Sequence, residues 1–155
     1  MKRDIINRDY MKHGRAIRYF MKIKYKVSGA ELDLILFLSS EGRFSKSHFK
    51  SFNELLSWDK HRFQKLIDDK WIEIFRIYDK KTNSREVYQL SYAAKRLVTS
   101  YYDKLEGGLI AATRTHNPMF MSRARFASKV YRNFIKEMNK ETLTLQRQHL
   151  EDLSQ

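Results

Sequence analysis

Residues 57–70 of this 155-residue chain combine an apolar helical face with a face of hydrogen-bond donors. Phe63, Leu66 and Ile67 recur at helical spacing and indicate the buried side. The opposite side suits base edges in the major groove of DNA, where glutamine pairs with adenine and lysine with guanine. These candidate DNA-reading residues are Lys60, His61, Arg62, Gln64 and Lys65. The alternative is an ordinary solvated face.

A second basic stretch lies between two segments that alternate apolar and polar residues. Residues 71–77 and 85–91 have the pattern of two strands, and the polar residues 79–84 predict the loop of a hairpin. Basic side chains on such a loop suit phosphates or a narrow minor groove. The candidates are Lys80, Lys81, Asn83 and Arg85. The alternative is a loop that only adds solubility.

The sequence lacks the patterns of a catalytic or metal-binding site. It has no cysteine, which excludes disulfides, thiolate nucleophiles and cysteine-based zinc sites. It has no glycine-rich phosphate-binding motif and no nucleophile elbow. Five histidines show no ligand spacing. We therefore expect neither an enzyme nor a cofactor. The histidines are His13, His48, His61, His116 and His149.

The charge of the chain favours a polyanionic partner. Lys and Arg number 31 against 18 Asp and Glu, which gives a net charge of +13 and a pI near 9.9. Nucleic acid and an anionic membrane both fit such an excess, and the alternative is a merely soluble basic protein. No segment has the roughly 18 apolar residues of a membrane span, and the N-terminus lacks the apolar stretch of a signal peptide. We expect a cytoplasmic, nucleoid-associated protein without membrane contact.

Glycine and proline are scarce, with five and one in the chain, so helices should dominate. A basic amphipathic helix is predicted over about 8–25. Ser28 and Glu31 form a capping box that predicts a second helix over about 29–40. This second helix is apolar almost all round, so we expect it to be buried.

Serine and aspartate residues predict the starts of the next two helices. Ser45 is the candidate N-cap of the third helix, and either Ser57 or Asp59 caps the fourth, donor-bearing helix. Ser45 and Lys46 are also candidate contacts to the DNA backbone.

The last third of the chain predicts two further helices. Ser91 caps the first, whose pattern ends at Gly107 and Gly108. An amphipathic helix then follows from Ser122 to about residue 148.

The order of these elements is three helices, a hairpin and a helix, which are the parts of a winged helix-turn-helix. The predicted fold class is therefore mostly α with a small β-hairpin wing (α+β), with helical extensions at both ends. The third helix of such a domain is expected in the major groove. The predicted domains are an N-terminal basic helix (1–27), a winged-helix domain (28–106) and a C-terminal helical extension (107–155).

Residues 28–105 resemble the MarR family of winged-helix regulators. Three stretches carry the resemblance. SGAELDLILFL is similar to the first core helix, FQKLIDDKWIEIF to the exit of the recognition helix into the first wing strand, and NSREVYQLSYAAKRLV to the wing motif. In the second stretch, Lys70 stands where the family often has glycine.

The wing motif carries over residue by residue. Arg85 matches the family's wing arginine, and Leu90 with Ser91 stands where Leu-Thr is usual. Ala94 occupies the glycine position, and Asn83 replaces the acidic residue.

The family's dimers are built from the N- and C-terminal helices, so the resemblance implies a homodimer. Both ends of this chain carry apolar helical stripes that a second subunit would cover. The candidate dimerisation residues are Ile17, Phe20, Met21, Val130, Phe134, Ile135 and Met138. The alternative is that both end helices fold back on their own chain. The resemblance also implies a pocket for a small-molecule effector, but no residue of the sequence indicates one.

The function expected from the sequence is sequence-specific binding of double-stranded DNA by a homodimeric, MarR-like transcriptional regulator. The first alternative is a structural or architectural protein, for example of a phage particle, whose winged helix makes non-specific contacts. The second is membrane association through the basic termini.

Overall fold

The computed structural model describes residues 10–56, 60–82 and 85–154. It is mostly helical with a small antiparallel sheet, which confirms the α+β class. In chain order the elements are α1 (Tyr10–Tyr25), α2 (Gly29–Glu41), β1 (Arg43–Phe44), α3 (Lys46–Leu56), α4 (Lys60–Asp68), β2 (Ile72–Arg76), β3 (Val87–Leu90), α5 (Tyr92–Leu105), a 3-10 helix (Pro118–Phe120) and α6 (Phe126–Leu153).

The chain divides into two compact units, and their boundary falls inside α5. The central unit contains residues 28–99, and the terminal unit contains residues 1–27 together with 100–155.

The predicted helix caps of the central unit are formed. The Ser28 hydroxyl accepts from the amide of Glu31 at 3.1 Å, and the Glu31 carboxylate accepts from the amide of Ser28 at 2.6 Å. Ser45 accepts from the amide of His48 at 3.3 Å, and Ser91 accepts from the amide of Ala94 at 3.2 Å. These bonds satisfy amides that the first turn of a helix leaves unpaired. The candidate caps Ser57 and Asp59 lie outside the described residues.

The sheet of the central unit has the strand order β1-β3-β2, with both neighbouring pairs antiparallel. β2 and β3 are the predicted hairpin, and Ile72 lies opposite Leu90. The short strand β1 was not predicted. Its Phe44 pairs with Tyr88 of β3, and two residues are too few to show an alternating pattern.

An aromatic cluster forms the core beside the sheet. The rings of Phe49 and Phe63 lie 4.6 Å apart, those of Phe63 and Tyr88 lie 5.1 Å apart, and Phe44 is 6.2 Å from Phe63. All four side chains are buried, so this cluster joins α3, α4 and the sheet in one core. Such pairs add to the stability that burial of their area provides.

The alternating residues of β2 are not alternately buried. Ile72 is buried, but Ile74 and Ile77 are exposed, with 51% and 71% of their surface accessible. β2 is an edge strand with an irregular register between Ile74 and Arg76, so its far end leaves the covered part of the sheet.

The terminal unit packs α1 against α6. The Tyr19 and Tyr131 rings stack at 4.6 Å, and the Tyr19 hydroxyl lies 3.0 Å from that of Ser128. α6 begins at Phe126 rather than at the predicted Ser122, because the segment before it forms the 3-10 helix and turns. It also continues five residues beyond the predicted end at 148.

Candidate nucleic-acid interface

The donor-bearing helix α4 presents the two faces that its sequence predicts. Phe63 and Leu66 are buried, whereas His61, Gln64 and Lys65 are exposed. Ile67, which was also predicted on the buried face, is partly exposed. Arg62 is partly exposed, and the side chain of Lys60 lies outside the described part of the chain.

Two of the exposed donors are held by acidic partners. The Gln64 side-chain amide donates to Asp68 at 2.9 Å on the next turn of α4. The Lys65 ammonium forms an ion pair with Glu31 of α2. Glu31 is buried with 3% of its surface exposed, so Lys65 neutralises a charge that water does not reach.

The pKa values of this ion pair follow from its contacts. Burial alone raises the pKa of the Glu31 carboxyl, but the hydrogen bonds from Lys65 and Ser28 outweigh burial and lower the pKa below its ordinary value. The hydrogen bond to Glu31 raises the pKa of the Lys65 ammonium. Lys65 therefore links α4 to the start of α2, a role that the sequence did not predict.

A cleft of about 500 Å³ collects residues that the sequence assigned to two separate groups. Ser45 and Lys46 come from the start of α3, and Arg85 comes from the end of the hairpin loop. The Arg85 guanidinium approaches the Ser47 hydroxyl at 3.5 Å. The cleft thus places two basic side chains and two hydroxyls beside the first turn of a helix, where anions are favoured.

Three further cleft residues were not predicted as functional: Ser47, Tyr78 and Glu86. Glu86 is the acidic member, and it lies 3.9 Å from the Lys46 ammonium and accepts from the Tyr88 hydroxyl at 2.6 Å. Burial and this hydrogen bond raise the pKa of Tyr88 to about 12. No local pattern indicates these residues, because the cleft joins positions about forty residues apart in the chain.

The hairpin loop exposes both of its predicted lysines. Lys80 and Lys81 are solvent-accessible, and Asp79 shapes the turn by accepting from the amide of Lys81 at 2.9 Å and from the Thr82 hydroxyl at 3.0 Å. Asn83, the remaining loop candidate, lies outside the described residues. The loop therefore offers cations on a turn that its own aspartate stabilises.

The predicted dimerisation residues divide into two classes. Five are buried within the single chain, with at most 2% of their surface exposed, and their apolar character therefore does not require a partner. They are Ile17, Phe20, Met21, Ile135 and Met138. Val130 is 58% exposed and Phe134 is partly exposed, and both line a groove of about 610 Å³ together with Lys12, Arg15 and Phe126.

Charge is unevenly divided between the two units. Residues 1–27 and 100–155 contain eighteen Lys and Arg against eight Asp and Glu, a net charge of +10. Residues 28–99 contain thirteen against ten, a net charge of +3. Most of the excess charge therefore lies outside the unit that carries the candidate DNA-reading helix.

Within residues 10–56, 60–82 and 85–154, no group of acidic and histidine side chains has the arrangement of a metal site. The helices among these residues are all too short or too polar to cross a membrane. Comparisons with models of protein families, with curated proteins and with solved structures found no match. Functional conclusions therefore rest on the residues of this chain.

Proposed function

We propose that the central unit is a winged helix-turn-helix that binds double-stranded DNA. The observation that carries this proposal is the order α2-β1-α3-α4-β2-β3 with a sheet arranged β1-β3-β2. In this arrangement α4 is the third helix, the hairpin loop is the wing, and α4 keeps an exposed polar face while its apolar face is buried. A helix held in this way has the form that enters a major groove.

The exposed side chains have separate roles in this proposal. His61 and Gln64 of α4 face base edges, and Gln64 exchanges Asp68 for adenine when DNA is bound. Ser45, Lys46 and Arg85 line the cleft and bind one backbone phosphate, while Lys80 and Lys81 contact the backbone beyond it.

The test compares two kinds of substitution on two kinds of DNA. Gln64→Ala should cost about 1–3 kcal/mol on a site selected from random duplexes and little on unselected duplex, because it removes a base contact. Replacing Lys80 and Lys81 by alanine should weaken binding to the selected site and to unselected duplex by the same factor, and it should lower the salt dependence of binding. Equal losses for Gln64→Ala on both kinds of DNA would refute base reading.

We infer that the protein acts as a MarR-like, homodimeric transcriptional regulator. One apolar surface available to a second subunit is the part of α6 at Phe126, Val130 and Phe134, which lines the groove. A two-fold interface at this surface would give each dimer two copies of α4, and a dimer of this kind is expected to bind half-sites about one helical turn apart.

A second candidate function is a structural protein that binds nucleic acid without reading its sequence. The pairing of Lys65 with Glu31 favours it, because that lysine is held within the fold. The exposed Asp68 and Asp69 at the end of α4 also favour it, because they repel the DNA backbone. Selection from random duplexes separates the two candidates, since a structural protein would enrich no common sequence.

A further inference from the structure

The largest helix of the terminal unit carries a stripe of cations along one face. Residues 129, 132, 136 and 140 are all Arg or Lys. At 3.6 residues per turn they fall within a sector of about 80° around α6. The members Lys129, Lys136 and Lys140 are exposed, and we call these three residues the α6 stripe.

The remaining basic residue of this sector, Arg132, anchors the stripe rather than extending it. Its guanidinium donates to the carbonyl oxygens of Met119 at 2.7 Å and Met121 at 2.6 Å. The Phe120 ring lies 5.7 Å from the Arg132 guanidinium and 5.9 Å from the Lys136 ammonium. These contacts hold the middle of α6 against the 3-10 turn, and they place Lys136 beside the Phe120 ring.

The α6 stripe has no acidic partner among the residues that the structure describes. The ion pairs found there involve other cations. Glu137 is the acidic residue of α6 between Lys129 and Lys140. It lies about 100° around the helix from Lys136 and about 60° from Lys140, with which it forms no ion pair. Glu141 is occupied by Lys12 at 2.7 Å and His13 at 3.1 Å. A plain solvated helix face commonly intersperses both signs of charge, whereas this sector keeps one sign.

We propose that the α6 stripe binds the phosphate backbone of duplex nucleic acid, as a second contact surface outside the central unit. From Lys129 to Lys140 the stripe spans about 16 Å at 1.5 Å per residue. A duplex carries one negative charge for about every 1.7 Å of its axis, counted over both strands, so phosphates recur along this whole length. The net charge of +10 on the terminal unit supplies the long-range attraction. This inference shares its ligand class with the proposed function but does not require the central unit to bind DNA.

The proposal is tested by the salt dependence of binding to a duplex of random sequence, measured by fluorescence anisotropy. The stripe variant carries Lys129→Gln, Lys136→Gln and Lys140→Gln. Its slope of log affinity against log salt should fall by up to about 2.7, which is 0.9 for each lost phosphate contact. A slope equal to that of the unmodified protein would overturn the proposal.

A matched control removes three exposed cations elsewhere. Lys95→Gln, Arg96→Gln and Arg114→Gln change the net charge by the same amount, so they correct for the loss of charge alone. The slope should fall by less than about 1 in this control. If both triple variants lower the slope equally, the effect belongs to net charge and the stripe is not a binding surface.

A second variant protects the test against misfolding, because Lys136 contacts Phe120. Lys129→Gln with Lys140→Gln leaves that contact intact and should lower the slope by up to about 1.8. Circular dichroism checks that each variant retains its helices. Loss of binding to anionic vesicles in the stripe variant, with duplex binding unchanged, would assign the stripe to a membrane and overturn the proposal.

The two proposals fail in different ways. One outcome is that Gln64→Ala leaves the affinity for every selected site unchanged while the stripe variant lowers the salt slope. The proposed winged-helix function is then wrong, and the proposed α6 surface is supported.

The opposite outcome is that the stripe variant has the salt slope of the unmodified protein while Gln64→Ala weakens binding to the selected site alone. The proposed α6 surface is then wrong, and the proposed function is supported.

Discussion

Replacing Glu31 by glutamine is expected to destabilise the central unit, because the carboxylate joins two elements. It accepts from the amide of Ser28 at 2.6 Å at the start of α2 and pairs with Lys65 on α4. Glutamine keeps the shape, but it loses the charge and replaces one of the two acceptor oxygens by an amide donor. With its oxygen on the Ser28 amide it no longer accepts from Lys65, so the substitution removes the charge and the ion pair while it keeps the packing.

The magnitude follows from the difference between charged and neutral hydrogen bonds. A bond to a charged group stabilises by about 1.5–3 kcal/mol and a neutral bond by about 0.5–1.5 kcal/mol. The bond from the Ser28 amide is local and partly buried, whereas the Lys65 side chain is 60% exposed and its contribution is screened by solvent. We therefore expect Glu31→Gln to lower the free energy of unfolding by about 1–2 kcal/mol at neutral pH.

The pH dependence gives the sharper test. A carboxyl whose pKa is lower in the folded state than its unfolded value near 4.5 stabilises the fold above that value. This stability is lost as the pH falls through the folded pKa. Urea denaturation should therefore show a difference between the two proteins at pH 7 that shrinks steadily below pH 4.5. Equal stabilities at pH 7, or a difference that persists in acid, would refute the proposed role of the ion pair.

Tyr88, whose pKa is raised to about 12 from an ordinary value of 10, stabilises the fold fully below pH 10, and this contribution is lost as the pH rises through 12. Unfolding measured across this alkaline range should therefore depend less on pH in Tyr88→Phe, and an unchanged profile would contradict the assignment. Ser45→Ala removes the acceptor for the His48 amide and should cost about 1 kcal/mol in urea denaturation, whereas Ser45→Asp should restore the cap. Val130→Asp should convert a dimer to a monomer in sedimentation at micromolar concentration, and a stable monomer before substitution would exclude the proposed interface.

Signals within a few residues of each other predicted the helices and the hairpin. The features that the sequence did not predict, β1 and the ion pair of Lys65, depend on contacts between residues that are distant in the chain. Ser28, Ser45 and Ser91 cap helices within three residues of themselves, so their role is readable from the chain. β1 is too short to show a period, and its place at the sheet depends on pairing with β3. The partner of Lys65 lies 34 residues away, so the sequence indicated an exposed donor where the structure has an ion pair.

The apolar stripes of α1 and α6 also show that a sequence pattern does not identify what a residue packs against. Periodicity identified Ile17, Phe20, Ile135 and Met138 as residues that avoid water. It does not distinguish burial within one chain from burial between two chains, and the structure buries these four within the terminal unit. Val130 lies on α6 together with Ile135 and Met138, yet it is exposed because it faces the groove rather than the core.

We propose that α4 and the cleft beside it contact DNA, and NMR chemical-shift mapping can observe this contact residue by residue. A short duplex is titrated into labelled protein at moderate salt, and the amide shifts are followed. We expect the largest changes at His61, Gln64, Ser47 and Arg85, together with a weaker set along the α6 stripe. Changes along α6 alone, with α4 and the cleft unaffected at saturating duplex, would contradict it.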